Sequence, residues 1–324
     1  MNYKRLGQTG VKVSSLCMGT MTFGREADRT ACAAMYKRCR DAGINFFDCA
    51  NLYAGGESEK ILGESIAADR DEVVITSKVY YQPGPGLNPV GLSRRHMLQA
   101  VEASLKRLKT DRIDLYFLHH FDEHTPLEET LRALEDLVTQ GKVVYTGASN
   151  FSAWQIAKAL GISERHGWNR FQCIQPMYNL VKRQAEVELL PLAQAERLGV
   201  ITYSPLGGGL LTGKYADESP PAAGRLLKDT IYRRRFGEEW VKDVARRYTS
   251  YAKGLGLNPV ALALAWVAHH PAVTAPIIGA RNLTQLEDAL ASLDISMTPE
   301  LHRELSSLSP APPLATDRND ELAE

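Results

Sequence analysis

An α/β fold of the (β/α)8 TIM-barrel type is what this sequence predicts, and three observations predict it. Eight short apolar runs alternate with segments of helical periodicity along most of the chain. No G-x-G-x-x-G phosphate turn follows the first run, as an open doubly wound dinucleotide fold would have. Polar or ionisable residues end one run after another, and a barrel gathers its ligand-binding groups at the carboxyl ends of its strands.

The elements follow in order. Tyr3–Leu6 and Val11–Val13 flank Gly7-Gln8-Thr9-Gly10 and read as an N-terminal β-hairpin. Leu16–Met18 is the first barrel strand, and a helix from Asp28 to Ala42 leads to the second, Ile44–Asp48. A helix over Glu57–Ala67 precedes the third strand, Val73–Lys78. Ser93 caps a helix to Leu108, and Ile113–His119 is the fourth strand. Helix Leu127–Thr139 stops at Gly141, strand five is Val143–Ser149, and helix Ser152–Ser163 follows. Cys173–Gln175 is the sixth strand, Gln184–Leu198 a helix, and Val200–Tyr203 the seventh strand. Helix Pro259–His269 precedes the eighth strand, Ala275–Ile278, and helices Thr284–Ser292 and Pro299–Leu308 close the series. Two stretches break the rhythm, Tyr80–Leu92 and Leu206–Glu238; both fall on the carboxyl face as long loops. No element is assigned between Glu238 and Pro259. Residues 1–308 therefore read as one barrel domain, and the Pro-, Ala- and acid-rich tail 309–324 as mobile.

Composition narrows the function. Lys+Arg and Asp+Glu are both 38, so no net field draws the chain to nucleic acid. No apolar stretch is long enough for a membrane span, and Met1–Arg5 leads into no signal-peptide core. Five cysteines with no C-x-x-C pair suit a reducing compartment, and cytoplasm is the expected location. The sequence leaves oligomeric state open.

Asp48, Tyr53, Lys78 and His119 make chemical sense together. A phenol is a poor acid near neutrality unless its anion is stabilised, and an adjacent ammonium supplies that stabilisation. Asp48 can hold Lys78 charged and in place, while His119 can hydrogen-bond the oxygen receiving the proton. The plainer alternatives are a turn-capping Asp48, a structural Asp48–Lys78 pair and a core-edge His119. His119, His120 and His124 suggest a metal, but strand alternation sends the first two to opposite sides, so no metal site is expected.

Phe47-Asp48 with Tyr53, and Gly55-Gly56-x-Ser58-Glu59-x-x-Leu62-Gly63, closely resemble the signature of the aldo-keto reductases. So do Ile75–Lys78, Asp114–Tyr116 with Leu118-His119, Gly147-x-Ser149-Asn150, Gln175-Pro176-x-Tyr178-Asn179, Tyr203–Leu206 and Ile278–Arg281. The resemblance runs from about Tyr3 to Leu308 and is strongest to the bacterial branch akin to potassium-channel β-subunits. It implies Tyr53 as proton donor, supported by Asp48, Lys78 and His119, and NADP(H) extended across the barrel mouth. On that pattern Ser149, Asn150 and Gln175 hold the nicotinamide carboxamide, Tyr203 stacks on the ring, and Gly19, Thr20 and Met21 line its side. Ser204, Leu206, Gly208 and Lys214 lie along the pyrophosphate. Gly279, Ala280 and Arg281 meet the 2′-phosphate, with Gln285 and Asp288 at the adenosine.

The chain departs from the pattern at three places. Ala289 stands where relatives usually have Asn, His120 where many have Trp, and Cys49 where many have Thr; Cys49 reads as packing. Phe23, Tyr80, Tyr81 and His120 are the expected pocket walls. Arg233-Arg234-Arg235 reads as a solvated face, with cofactor-loop or oligomer contacts left open. The expected activity is NADPH-dependent reduction of an aldehyde or ketone. The alternatives are a cofactor-binding sensing subunit and, less well supported, a class I aldolase using Lys78.

Overall fold

The computed structural model describes residues 1–81, 88, 90–215, 224, 226 and 229–316. Strands β1 (Tyr3–Arg5) and β2 (Lys12–Ser14) pair antiparallel as the expected hairpin. The barrel comprises β3 (Cys17–Gly19), β4 (Phe46–Asp48), β5 (Val74–Val79), β6 (Ile113–Leu118), β7 (Val143–Ser149), β8 (Phe171–Gln175), β9 (Gly199–Thr202) and β10 (Ala275–Ile278). These eight strands close in the order β10-β3-β4-β5-β6-β7-β8-β9, each pair parallel. The predicted fold class is the observed one.

The interior is packed with side chains. Cys17, Phe46, Leu115, Phe117, Cys173, Ile201, Ala275 and Ile277 fill it, and Leu6 and Val13 of the hairpin join the same cluster. The hairpin therefore plugs the amino end. Its turn residue Gly7 has φ +58°, and a Cβ there would fall 2.3 Å from the Gln172 carbonyl oxygen, so only glycine allows that approach. With one end sealed, ligands have access at the carboxyl end.

The helices bury one face each against the outside of the barrel. In Leu127–Thr139 the buried residues Leu127, Thr130, Leu131, Leu134 and Leu137 recur at helical spacing. Caps set the starts: Asp28 accepts from the Ala31 N–H and Ser93 from the His96 N–H. Full burial of a leucine side chain on such a face contributes about 2 kcal/mol.

Two expectations need correction. The single helix over 184–198 is a 3-10 turn, Gln184–Glu186, followed by a helix over Leu189–Ala195. Pro191 has no N–H and would collide with the carbonyl four residues earlier, so it is tolerated only in the first turn. The stretch after the seventh strand is not loop throughout. Helices form over Thr230–Phe236 and Glu239–Gly254, the latter burying Val241, Val244, Ala245, Tyr248 and Ala252 at helical spacing. Parts of the two long loops and of the tail (82–87 and 89; 216–223, 225 and 227–228; 317–324) lie outside the described residues.

Candidate active site

Strand register assembles the site at the carboxyl edge. Asp48 ends β4 opposite Thr76 of β5, and Lys78 follows two residues on, pointing to the same side of the sheet. The Lys78 ammonium is fully buried and lies 2.6 and 2.8 Å from the two Asp48 carboxylate oxygens, 2.8 Å from the Cys49 carbonyl and 3.3 Å from the Tyr53 hydroxyl. Asp48 Oδ1 also accepts from Thr76 Oγ1 at 2.7 Å and from the Gln175 amide at 2.8 Å. Burying this ion pair is costly, and the added donors are what such a pair needs to persist out of water.

Burial pulls Lys78 down, yet the Asp48 carboxylate overrides it and holds the ammonium above its ordinary pKa. For Tyr53 the balance runs against the expectation from sequence. Burial pushes its phenol up to about 12, and the nearby Lys78 offsets only part of that. The phenol therefore keeps its proton through the neutral range, and Lys78 acts on the anion only as the proton leaves.

His119 comes just after β6, its N–H bonded to the Val79 carbonyl. Its ring stands edge-on to Tyr53, with centroids 6.2 Å apart. Burial, then Lys78, holds its pKa well below the ordinary value, so the imidazole is neutral. Its Nδ1 is buried without a hydrogen-bond partner, while the residue lines the mouth. His120 lines the same mouth, its ring 5.2 Å from that of Tyr80. The expected alternation fails here because the strand ends at Leu118 and the chain leaves the pleat.

The mouth is a cavity of about 850 Å³ lined by most of the residues singled out above. Gly19, Met21, Asp48, Tyr53, His119, His120, Ser149, Asn150, Gln175, Tyr203, Ser204 and Leu206 line it from the inner end. Gly208, Lys214, Gly279, Ala280, Arg281, Gln285 and Asp288 continue along it. Ala289 lines it too.

Several of these side chains are already bonded to each other. Ser149 Oγ donates to the Gln175 carbonyl, Asn150 Nδ2 to the His119 carbonyl, and the Tyr203 hydroxyl to Asn150 Oδ1. Asn150 and Ser204 hold left-handed backbone at φ 57° and 54°, uncommon for residues with a Cβ and concentrated at functional sites. Gly207, Gly208 and Gly209 run through three successive left-handed residues, which only glycine does cheaply. A Cβ on Gly208 would fall 2.8 Å from the Tyr232 ring.

Three expected contacts are not at the mouth. Thr20 is fully buried; it donates to the Asp48 carbonyl and accepts from Ser58 Oγ at 2.9 Å, so it pins the turn after β3 rather than facing a ligand. Phe23 is fully buried in the outer core, its turn being drawn inward by the Phe23 N–H to Thr20 carbonyl bond. Tyr80 packs on Tyr81 and His120, and the wall there is Tyr81. Cys49 is buried 3.3 Å from Ser58 Oγ, and burial drives its thiol up to about 12, which fits packing.

Sequence reasoning missed several residues at the mouth, among them Leu52, Val260, Leu264 and a group on one short helix. Ile231, Tyr232 and Arg235 of the short helix Thr230–Phe236 line the mouth. Arg233 and Arg234 are exposed, so the basic triplet is solvated in part only. The Asp229 cap followed by the spacing of residues 231, 232 and 235 was the available signal.

Among the described residues, no helix is long and apolar enough to cross a membrane, and no cluster of three or more His, Cys, Asp or Glu could hold a metal ion. Comparison with known proteins gives the geometry a lineage. An uncharacterized oxidoreductase, YrpG, of Bacillus subtilis (strain 168) is 39% identical over 323 residues, covering 96% of this chain and 97% of that protein. A probable voltage-gated potassium channel subunit beta of Arabidopsis thaliana is 38% identical, covering 91% and 92%. The versiconal hemiacetal acetate reductase of Aspergillus parasiticus is 33% identical, covering 93% and 94%. Residues 15–310 match the model of the Aldo/keto reductase family. The match spans every barrel strand and both edges of the cleft, and the chain accordingly belongs to the aldo/keto reductase family, whose oxidoreductases reduce small-molecule carbonyls.

Proposed function

We propose that this protein is an NADPH-dependent reductase of aldehydes or ketones, with Tyr53 as proton donor. The observation that carries the reading is the Tyr53 hydroxyl 3.3 Å from a Lys78 ammonium that Asp48 holds at 2.6 Å. The residues along the mouth fit a nicotinamide dinucleotide. Arg281 forms no ion pair among the described residues, and its guanidinium offers forked donors suited to a 2′-phosphate. The glycine run at 207–209 and Lys214 offer backbone and a cation to a pyrophosphate. The bound cofactor supplies hydride.

The protein's part is the proton. A carbonyl oxygen placed between Tyr53 and His119 accepts a hydrogen bond from the phenol and lies against the imidazole that lines the mouth. As the carbonyl carbon gains hydride, the developing alkoxide takes the Tyr53 proton and leaves a phenolate. Lys78, itself fully buried, stabilises that phenolate at close range. Solvent then returns a proton to Tyr53. The burial and ion pairing of Lys78 speak against an aldolase, which needs a free amine as nucleophile. The similarity to a potassium channel subunit beta favours a second reading, in which the loaded barrel serves a partner protein.

NADPH oxidation against a panel of aldehydes and ketones tests the first reading, with Tyr53→Phe measured alongside. Loss of a positioned general acid costs about 10²–10⁴-fold in rate. NADPH binding by fluorescence should be unchanged in the variant. A Tyr53→Phe protein as active as the wild type would sink the mechanism, and a wild type inert on the whole panel would favour the partner-serving reading.

A further inference from the structure

The mouth carries one cation that the reading above leaves unused. Lys214 and Arg281 are assigned to cofactor phosphates, but Arg235 also lines the cleft, on the helix Thr230–Phe236. Its guanidinium lies 5.8 Å from the Tyr232 ring and pairs with no carboxylate among the described residues. It acts on the nicotinamide end of the cleft: burial pushes the Tyr203 phenol up, and Arg235 is the largest influence drawing it back. Tyr203 in turn donates to Asn150, which bonds the His119 carbonyl. The carboxylates of the mouth are committed elsewhere, Asp48 to Lys78 and Asp288 to the Asn258 amide at 2.7 Å.

Leaving a half-buried guanidinium unpaired at the entrance costs stability unless a ligand repays it. We propose that Arg235 selects carbonyl substrates that carry a carboxylate, pairing with that group while the carbonyl sits at Tyr53. The substrate class is thus oxo acids, aldehydes or ketones with an anionic end. This rests on the carbonyl-reductase reading. The same guanidinium could instead hold a phosphate oxygen of the cofactor, and the experiment separates the two sources.

The test measures kcat/KM with NADPH on 4-carboxybenzaldehyde and on its neutral counterpart methyl 4-formylbenzoate. The wild type should prefer the carboxylate. R235Q should lose about tenfold or more on the carboxylate, as expected for a lost charge-assisted pair, and far less on the ester. R235K should recover part of the preference, since it keeps the charge without the fork. NADPH affinity, read by fluorescence titration, should be nearly the same in all three proteins.

Equal losses on both aldehydes together with weakened NADPH binding would assign Arg235 to the cofactor and overturn the proposal. A wild type without carboxylate preference would overturn it too. If neither aldehyde turns over, the reductase reading fails by itself, and calorimetric binding of benzoate to the NADP+-loaded protein decides. Binding lost in R235Q upholds the anion site; binding unchanged or absent removes it.

Discussion

Gln175 donates its side-chain amide to Asp48 Oδ1 at 2.8 Å, joining the end of β8 to the end of β4 across the barrel mouth. By resemblance Gln175 serves the nicotinamide carboxamide, yet one of its two amide hydrogens is already spent on the carboxylate beneath Tyr53. Gln175 thus ties the expected cofactor pocket to the ion pair beside the proposed acid.

Replacing that donor exposes the tie. Gln175→Leu leaves Asp48 with Thr76 and Lys78, and the loss should be about 1–2 kcal/mol in urea denaturation. Gln175→Glu sets a second carboxylate against Asp48, and two like charges in contact cannot both ionise. Its penalty should therefore be larger at pH 8 than at pH 5. A pH-independent penalty would mean that the contact does not form.

The Lys78–Asp48 pair is tested by a double-mutant cycle. Lys78→Met strands a buried carboxylate and should cost about 3–5 kcal/mol. Adding Asp48→Asn removes the stranded charge, so the double variant should be more stable than the sum of its parts by more than about 1 kcal/mol. Chemical denaturation of the four proteins gives the coupling. Additive losses would place the two groups out of contact.

Much of this site was legible because buried charges at strand ends are rare. Asp48, Lys78 and His119 stand at or just past the ends of neighbouring strands, and the pleat carries them to one edge. The direction of the Tyr53 shift was not legible, since it depends on how much water the closed barrel excludes. Turns were the other weak point: nothing in the order Gly19–Phe23 says which residues face the cleft, and Thr20 and Phe23 face inward. The helix Glu239–Gly254 had its apolar spacing in plain view, but its place after a long irregular stretch hid it.

The neutral His119 predicts a pH dependence of stability. Its ordinary value is near 6.5, and burial beside Lys78 lowers it in the folded protein. Below about pH 6.5 the unfolded chain binds a proton that the native state still refuses, so stability falls as pH falls. The contribution is complete above pH 6.5 and declines by about 1.4 kcal/mol for each unit below it, until the native imidazole itself titrates. His96, His270 and His302 are shifted in the same direction, so the measurement is a difference. The Tm of the wild type should drop more between pH 7 and pH 5 than that of His119→Asn. Parallel curves would mean that His119 is accessible to protons when folded.

The proposed preference for NADPH over NADH rests on Arg281. It lines the outer mouth at the start of the helix Leu283–Leu290, its N–H bonded to Gln285 Oε1. A 2′-phosphate there would meet both the guanidinium and the positive end of that helix. Removing the guanidinium with Arg281→Ala should weaken NADPH binding by about tenfold or more, as expected for one charge-assisted contact. NADH, which lacks the phosphate, should bind the variant and the wild type alike. Because Asp288 is held by Asn258 and Ala289 offers no polar group, few neighbours can replace the lost contact. Fluorescence titration with both cofactors gives the two ratios, and an equal loss for NADH and NADPH would remove Arg281 from phosphate recognition.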